Sequence, residues 1–210
     1  MRPDLVEALR RQAREFRDLN QAAPPYSPPF HSSPSLVQTL RLQRPETPSL
    51  PDDYAIFVND DTVVNPFAIS NGLLRIIARE TRGCATRESK ARRIFDWMQQ
   101  NIDYDEAFQQ DKSFREYATS LETLRRGKGV CGEQAFLYIA MARSVGLESG
   151  YVRVTRDYED EKVHHGCASV NIERGSILVD PAYHQFDINH YEYTFLNDSQ
   201  TIKRFQKWRR

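Results

Sequence analysis

The sequence has few cysteines, no long apolar run and no excess of charge of either sign. Its three cysteines, Cys84, Cys131 and Cys167, show no C-x-x-C spacing, which argues against a disulfide framework and against a zinc knuckle. No apolar run approaches the roughly 20 residues that span a bilayer, and the first residues lack the apolar core of a signal peptide. We therefore expect a cytoplasmic protein with free thiols and no membrane partner.

The charge and length of the chain limit its possible partners and domain organisation. The chain has 29 lysines and arginines against 29 aspartates and glutamates. These charges balance, so the protein has no net electrostatic attraction for nucleic acid, and we expect no nucleic-acid partner. A length of 210 residues fits one medium domain with a substantial core and appended segments. The oligomeric state does not follow from the sequence.

Prolines are concentrated near the N-terminus, where eight of the 11 lie between residues 22 and 51. They follow residues 4–20, a moderately amphipathic segment that predicts a helix. Because proline excludes regular structure over most of this stretch, we divide the chain into an N-terminal helix with a proline-rich arm, residues 1–64, and a domain over residues 65–210. Apolar side chains within the arm favour packing on its own domain over binding to another protein's groove.

The first part of the domain has helical signals. Asn65 followed by Pro66 predicts a helix that runs to about residue 80. Thr86 predicts the cap of a second helix, and Thr119 or Ser120 the cap of a short third one. A fourth, apolar on nearly every side, covers residues 131–145 and is expected to be buried.

The pattern then changes to a period of two. Predicted strands cover residues 150–155, 164–172, 176–180 and 191–196, and Asp198 or Ser199 caps a closing helix. Leading helices followed by an antiparallel sheet predict an α+β fold, in which the central buried helix packs on the sheet.

Cys131 lies where a glycine-rich loop, residues 127–132, becomes the buried helix. A cysteine in the first turn of a helix is close to unpaired backbone N–H groups and to the positive end of the helix dipole, and both favour the thiolate. This placement suits a nucleophile. The alternative is a buried structural cysteine near a helix start.

A histidine and an aspartate complete a candidate catalytic set. His165 begins one predicted strand, Asp180 ends the next, and a tight turn at residues 173–175 brings the two strands side by side. A thiol nucleophile needs an imidazole that shares its proton and a carboxylate that orients the imidazole. His164 is the competing choice, but it would point to the opposite face of the strand.

Several separated blocks resemble the core of the transglutaminase-like superfamily. They are Gly129-Val130-Cys131-Gly132 with Ala135, the segments 140–147 and 151–154, and Leu178-Val179-Asp180-Pro181. The upstream segment 91–104 is similar to the helix before the cysteine in bacterial members. The resemblance covers about residues 65–183 and implies a papain-like/transglutaminase-core fold. By this resemblance Cys131 would be the nucleophile, His165 the general base and acid, and Asp180 the orienting carboxylate.

The histidine strand departs from the family pattern. The family often has His-x-Trp-x-Glu, whereas residues 165–169 read His-Gly-Cys-Ala-Ser, without the aromatic wall and the following acid. The backbone N–H of Cys131 can supply one oxyanion donor, but the sequence does not identify a second.

These observations predict a cysteine protease, amidase or transglutaminase-like acyltransferase that acts on a peptide or protein amide through a thioester on Cys131. Two alternatives stay open: a catalytically inactive module that binds a peptide or protein, and a thiol metal or redox site built from Cys131, Cys167 and His165. No calcium-loop pattern of spaced acids occurs. We therefore expect neither a metal nor a cofactor.

Overall fold

The computed structural model describes residues 55–58, 61–111, 113 and 115–209. The predicted N-terminal helix and nearly all of the proline-rich arm lie outside these residues. The described part begins with a β-hairpin of β1 (Ala55–Val58) and β2 (Asp61–Val64), in which Ala55 pairs with Val64. The sequence predicted no strand in this stretch.

The first two helices pack their apolar faces into the core. Helix α1 (Asn71–Glu80) begins after Ser70, whose side chain accepts a hydrogen bond from Leu73 N. The predicted cap at Asn65 is therefore wrong. The Asn65 side chain accepts instead from Phe67 N two residues later, which forms a turn ahead of the helix. Helix α2 (Arg87–Asn101) starts at the predicted cap, Thr86, with a capping box.

Short elements lead from α2 to the cysteine. Strand β3 (Asp103–Tyr104) pairs in parallel with β4 (Lys128–Gly129), and between them lie α3 (Glu106–Gln110) and α4 (Ser120–Arg126). The hydroxyl of Thr119, one of the two predicted cap residues, caps α4. This small pairing places Tyr104 next to the loop that precedes Cys131.

Helix α5 (Cys131–Ser144) is the centre of the domain. Every residue from 132 to 142 is buried, which agrees with its apolar residues on all sides. It contacts helices on one side and the sheet on the other. The large side chains from other elements in the same core include Phe67, Tyr151 and Phe205.

A five-stranded antiparallel sheet follows. Its strands are β5 (Ser149–Arg156), β6 (Lys162–Ile172), β7 (Gly175–Asp180), β8 (Gln185–Ile188) and β9 (Glu192–Leu196), in the spatial order β8-β7-β6-β5-β9. Strand β8 was not predicted. The order of helices and sheet confirms the predicted α+β fold, in which the central helix packs on the sheet.

The last helix, α6 (Asp198–Trp208), closes the described chain. Its cap is Asn197, whose side chain accepts from Gln200 N, so the prediction of Asp198 or Ser199 was one or two residues late. None of the described helices is long and apolar enough to cross a bilayer.

Candidate active site

Cys131 is the first residue of α5 and is partly exposed. The loop before it is fixed by Glu133, a fully buried carboxylate that accepts hydrogen bonds from Val130 N at 3.0 Å and Ala118 N at 2.6 Å. Arg115 neutralises this carboxylate with two contacts of 2.6 and 2.8 Å. The thiol therefore projects from a rigid helix start.

His165 and Asp180 are brought together by the pairing of β6 and β7. Ala168 pairs with Val179, so Asp180 lies on the same sheet face as His165 and diagonal to it. The distance from His165 Nε2 to Asp180 Oδ2 is 2.5 Å, and the Asp180 side chain is fully buried. The other carboxylate oxygen, Oδ1, accepts from Tyr183 N at 3.1 Å.

Cys131 lies close enough to His165 to interact with the imidazole. Because Asp180 contacts Nε2, Nδ1 is the ring nitrogen left for an interaction with the thiol. Burial alone would lower the pKa of His165, but the hydrogen bonds and negative charges of Asp180 and Cys131 outweigh it and raise this pKa to about 10. The three residues predicted from the sequence thus lie together, with a hydrogen bond between His165 and Asp180, whereas His164 is exposed.

An aromatic ring covers His165 from an unexpected element. Tyr183 stacks on the imidazole with a centroid distance of 4.3 Å and an interplanar angle of 6°. Its hydroxyl donates to Asp157 Oδ2 at 3.2 Å. Tyr183 thus supplies an aromatic ring beside His165, although the histidine strand itself has no aromatic residue at position 167. The sequence shows an aromatic residue three positions after Asp180, but no pattern in it predicts a contact with His165.

Tyr104 lies close to Cys131. The backbone N–H of Cys131 is near enough to the Tyr104 hydroxyl oxygen to affect its pKa. Burial, and then the negative charge on Cys131, raise the pKa of Tyr104 to about 12, so the hydroxyl keeps its proton at neutral pH. In the sequence Tyr104 is marked only by its place at the end of a predicted helix, and the pairing of β3 with β4 brings it to the site.

Two glycines make room for tyrosine hydroxyls beneath the site. A Cβ at Gly132 would overlap the hydroxyl of Tyr117, and a Cβ at Gly166 would overlap that of Tyr151. Burial raises the pKa of both tyrosines well above the usual value. The Gly166 position in the histidine strand is therefore explained by packing.

His165, Asp180 and His190 form the one group in the described residues whose side-chain atoms lie close enough together to hold a metal. Hydrogen bonds from both imidazoles to Asp180 account for the grouping, and we assign no metal to it. Cys131 and Cys167 do not belong to it. Cys167 is fully buried among apolar side chains, and burial raises the pKa of its thiol well above the usual value, so the thiol metal or redox alternative has no support here.

Comparisons with known proteins agree with this picture. A sequence model of the Transglutaminase-like superfamily matches residues 75–181. The UPF0252 protein of Archaeoglobus fulgidus is 24% identical over 162 residues, which cover 70% of this chain and 48% of that protein. The chain thus spans about half the length of this relative.

Solved structures are similar to part of the chain. A protein from Cytophaga hutchinsonii, named as a candidate cysteine protease, covers 61% of this chain and 45% of its own, with 19% identity and a TM-score of 0.48. A structure named as a TGase covers 57% of this chain and 33% of its own, with 16% identity and a TM-score of 0.43. The family assignment rests on the sequence model, which matches just over half of the chain. The chain belongs to the transglutaminase-like superfamily, a family of cysteine enzymes.

Proposed function

We propose that the protein cleaves or transfers the acyl group of a peptide or protein amide through a thioester on Cys131. The observation that supports this most directly is the hydrogen-bonded pair His165–Asp180 beside Cys131, the first residue of a buried helix. The helix end and His165 both favour a thiolate, and Asp180 holds the imidazole in the orientation that faces it.

In the first step the Cys131 sulfur attacks the amide carbonyl carbon, and the carbonyl oxygen becomes an oxyanion. His165 then donates its proton to the leaving nitrogen, and ammonia or an amine departs. In the second step His165 takes a proton from the attacking water or amine, which releases the acyl group from sulfur. Hydrolysis is the outcome when water attacks, and transamidation is the outcome when a primary amine attacks. Hydrolysis is the favoured form of the proposal.

Tyr104 supplies the second oxyanion donor in this scheme. The substrate oxygen would accept from the Cys131 backbone N–H in place of the tyrosine oxygen, and the Tyr104 hydroxyl would then donate to the same oxygen. A phenol that keeps its proton at neutral pH can serve as such a donor.

The inactive-module alternative predicts a thiol that lies apart from His165. The proximity of Cys131 to His165 favours the catalytic proposal over this alternative. The altered histidine strand, which first suggested this alternative, has a packing explanation at Gly166 and a substitute aromatic ring in Tyr183.

The test is the rate of Cys131 alkylation by iodoacetamide between about pH 4 and 9, followed by mass spectrometry. Rapid labelling well below the pH at which an ordinary thiol titrates, about 8.5, is expected in the wild type and should be lost in His165→Ala. Cys84 and Cys167 provide internal controls within the same spectra. Labelling of Cys131 that follows an ordinary thiol titration and ignores His165 would contradict the proposal.

Peptide libraries with a glutamine or a free backbone amide, incubated with and without a fluorescent primary amine, then separate the two reactions. Peptide cleavage or ammonia release without amine incorporation identifies a hydrolase. Incorporation identifies a transamidase. Cys131→Ser is the control for either result.

A further inference from the structure

His190 is a buried histidine that sequence analysis did not single out. Its Nε2 lies 3.2 Å from Asp180 Oδ2, the same oxygen that His165 contacts at 2.5 Å. Its side chain is fully buried, and Nδ1 has no hydrogen-bond partner in the described structure. Nε2 is therefore the nitrogen that carries the proton, and it donates this proton to the carboxylate.

Asp180 is a buried carboxylate, and His190 helps to stabilise its charge. A carboxylate that is completely removed from water is costly to ionise unless donors replace its hydration. Burial would raise the pKa of Asp180, but hydrogen bonds from His165, His190 and Tyr183 N hold it below the usual value. Of these donors, His165 also transfers protons in the proposed reaction. His190 and Tyr183 N are therefore the donors that hold the carboxylate in place throughout.

We propose that His190 is a positioning residue that keeps the Asp180 carboxylate ionised and aimed at His165. This inference rests on the proposed function, because it assigns His190 a role in supporting the Cys131–His165 pair. His190 does not touch the thiol or the reacting atoms in this scheme.

The surroundings of His190 hold it in this position. Its ring lies 6.0 Å from the ring of Tyr183 and 6.5 Å from that of Tyr158. The next residue, Tyr191, donates its backbone N–H to Asp157 O at 3.3 Å. The Asp157 carboxylate in turn accepts the Tyr183 hydroxyl. Asp157, a buried residue directly after β5, therefore contacts both the segment that carries His190 and the ring that stacks on His165.

Several other titratable groups face this cluster. They are Cys131, Cys167, Asp157, Tyr104, Tyr151, Tyr158 and Tyr183. Each remains in the variants described next. A change in the pH profile between those variants therefore reports the loss of the donor at position 190.

His190→Leu removes the donor and replaces the imidazole with an apolar side chain. Asp180 would then take up a proton at a higher pH, so the imidazolium of His165 would lose its support earlier as the pH falls. The acidic midpoint of Cys131 alkylation by iodoacetamide should rise by about one pH unit, the size expected for one hydrogen bond to a charged group.

His190→Gln and His190→Asn form the matched pair. The glutamine amide can reach the place of Nε2 and should leave the midpoint within a few tenths of a unit of the wild type. The asparagine amide is too short and should behave like leucine. This pair decides the question even if the leucine variant fails to fold, and thermal melting checks that both fold. His164→Leu, at an exposed position, is the control and should change nothing.

A midpoint that stays unchanged or falls in both His190→Leu and His190→Asn would overturn the role of His190. That result is distinct from failure of the proposed function, in which wild-type Cys131 itself would show only an ordinary thiol titration. A shift in His190→Leu and His190→Asn with rescue in His190→Gln would support the inference.

Discussion

The ring of Tyr183 lies flat on the imidazole of His165, with centroids 4.3 Å apart. The two residues are on different elements, since His165 is in β6 and Tyr183 follows β7. An imidazolium stacked on an electron-rich ring gains a cation–π contribution that a neutral imidazole lacks. Tyr183 thus favours the charged form of His165 in addition to fixing the plane of the ring.

Replacing Tyr183 tests this relationship. Tyr183→Ala should slow alkylation of Cys131 near pH 6 by roughly fivefold, the factor that corresponds to a loss of about 1 kcal/mol. Tyr183→Phe keeps the stacked ring and loses the hydroxyl contact with Asp157, so its rate should stay close to the wild type. Equal rates in Tyr183→Ala and the wild type would show that the stacking has no electrostatic effect on the pair.

Tyr104→Phe separates oxyanion stabilisation from thiolate formation. Alkylation by iodoacetamide develops no oxyanion, so the labelling rate of Cys131 should change little. Turnover of an amide substrate should fall by about 10²-fold, the usual loss for one oxyanion donor. A parallel loss in both measurements would instead place Tyr104 in the activation of the thiol. Thermal melting of the variant serves as the folding control.

Arg115→Met tests the support beneath the cysteine loop. This change leaves Glu133 and Asp105 without the guanidinium that contacts them at 2.6 and 2.9 Å. Glu133 is fully buried, so leaving its charge unpaired should lower the free energy of unfolding by about 3–5 kcal/mol. Urea denaturation measures the loss.

Arg87→Met provides the matched control for this measurement. Arg87 and Glu173 form an exposed pair at 3.6 Å, and exposed pairs contribute little to stability. Its unfolding curve should match that of the wild type. A similar loss in both variants would mean that burial of the Arg115 network does not set its contribution.

The sequence predicted the three residues at the centre of the site because each has a local signal. Cys131 lies at a glycine-to-helix transition, and His165 and Asp180 lie on strands joined by a two-residue turn at Glu173 and Arg174. Pairing of adjacent strands then fixes their relative positions. Their catalytic roles remain a prediction, which the alkylation experiment tests.

The residues around this centre, Tyr104, Tyr183 and His190, have no comparable local signal in the sequence. Tyr104 is placed by a parallel pairing of only two residues, whose partners lie 25 positions later in the chain. Tyr183 and His190 flank β8, a strand of only four residues with left-handed backbone at Asp187 and at His184 just before it. Its alternation of polar and apolar residues is too short to predict a strand, and its position depends on pairing with β7.

The pH dependence of stability provides the last test. The pKa of His165 is about 10 in the folded protein and about 6.5 in an unfolded chain. The folded state therefore binds more protons between these values, so the His165 contribution is fully present below about pH 6.5 and is lost as the pH rises towards 10.

The measurement is the difference in unfolding free energy between the wild type and His165→Gln as a function of pH. This difference should decrease from pH 6.5 upwards, by at most about 1.4 kcal/mol for each pH unit. The matched control is His164→Gln at the exposed neighbouring position, whose difference from the wild type should stay flat. A difference for His165→Gln that is flat or rises over this interval would mean that His165 does not hold its proton against Asp180 and Cys131, and the ion pair on which the proposed chemistry depends would be absent.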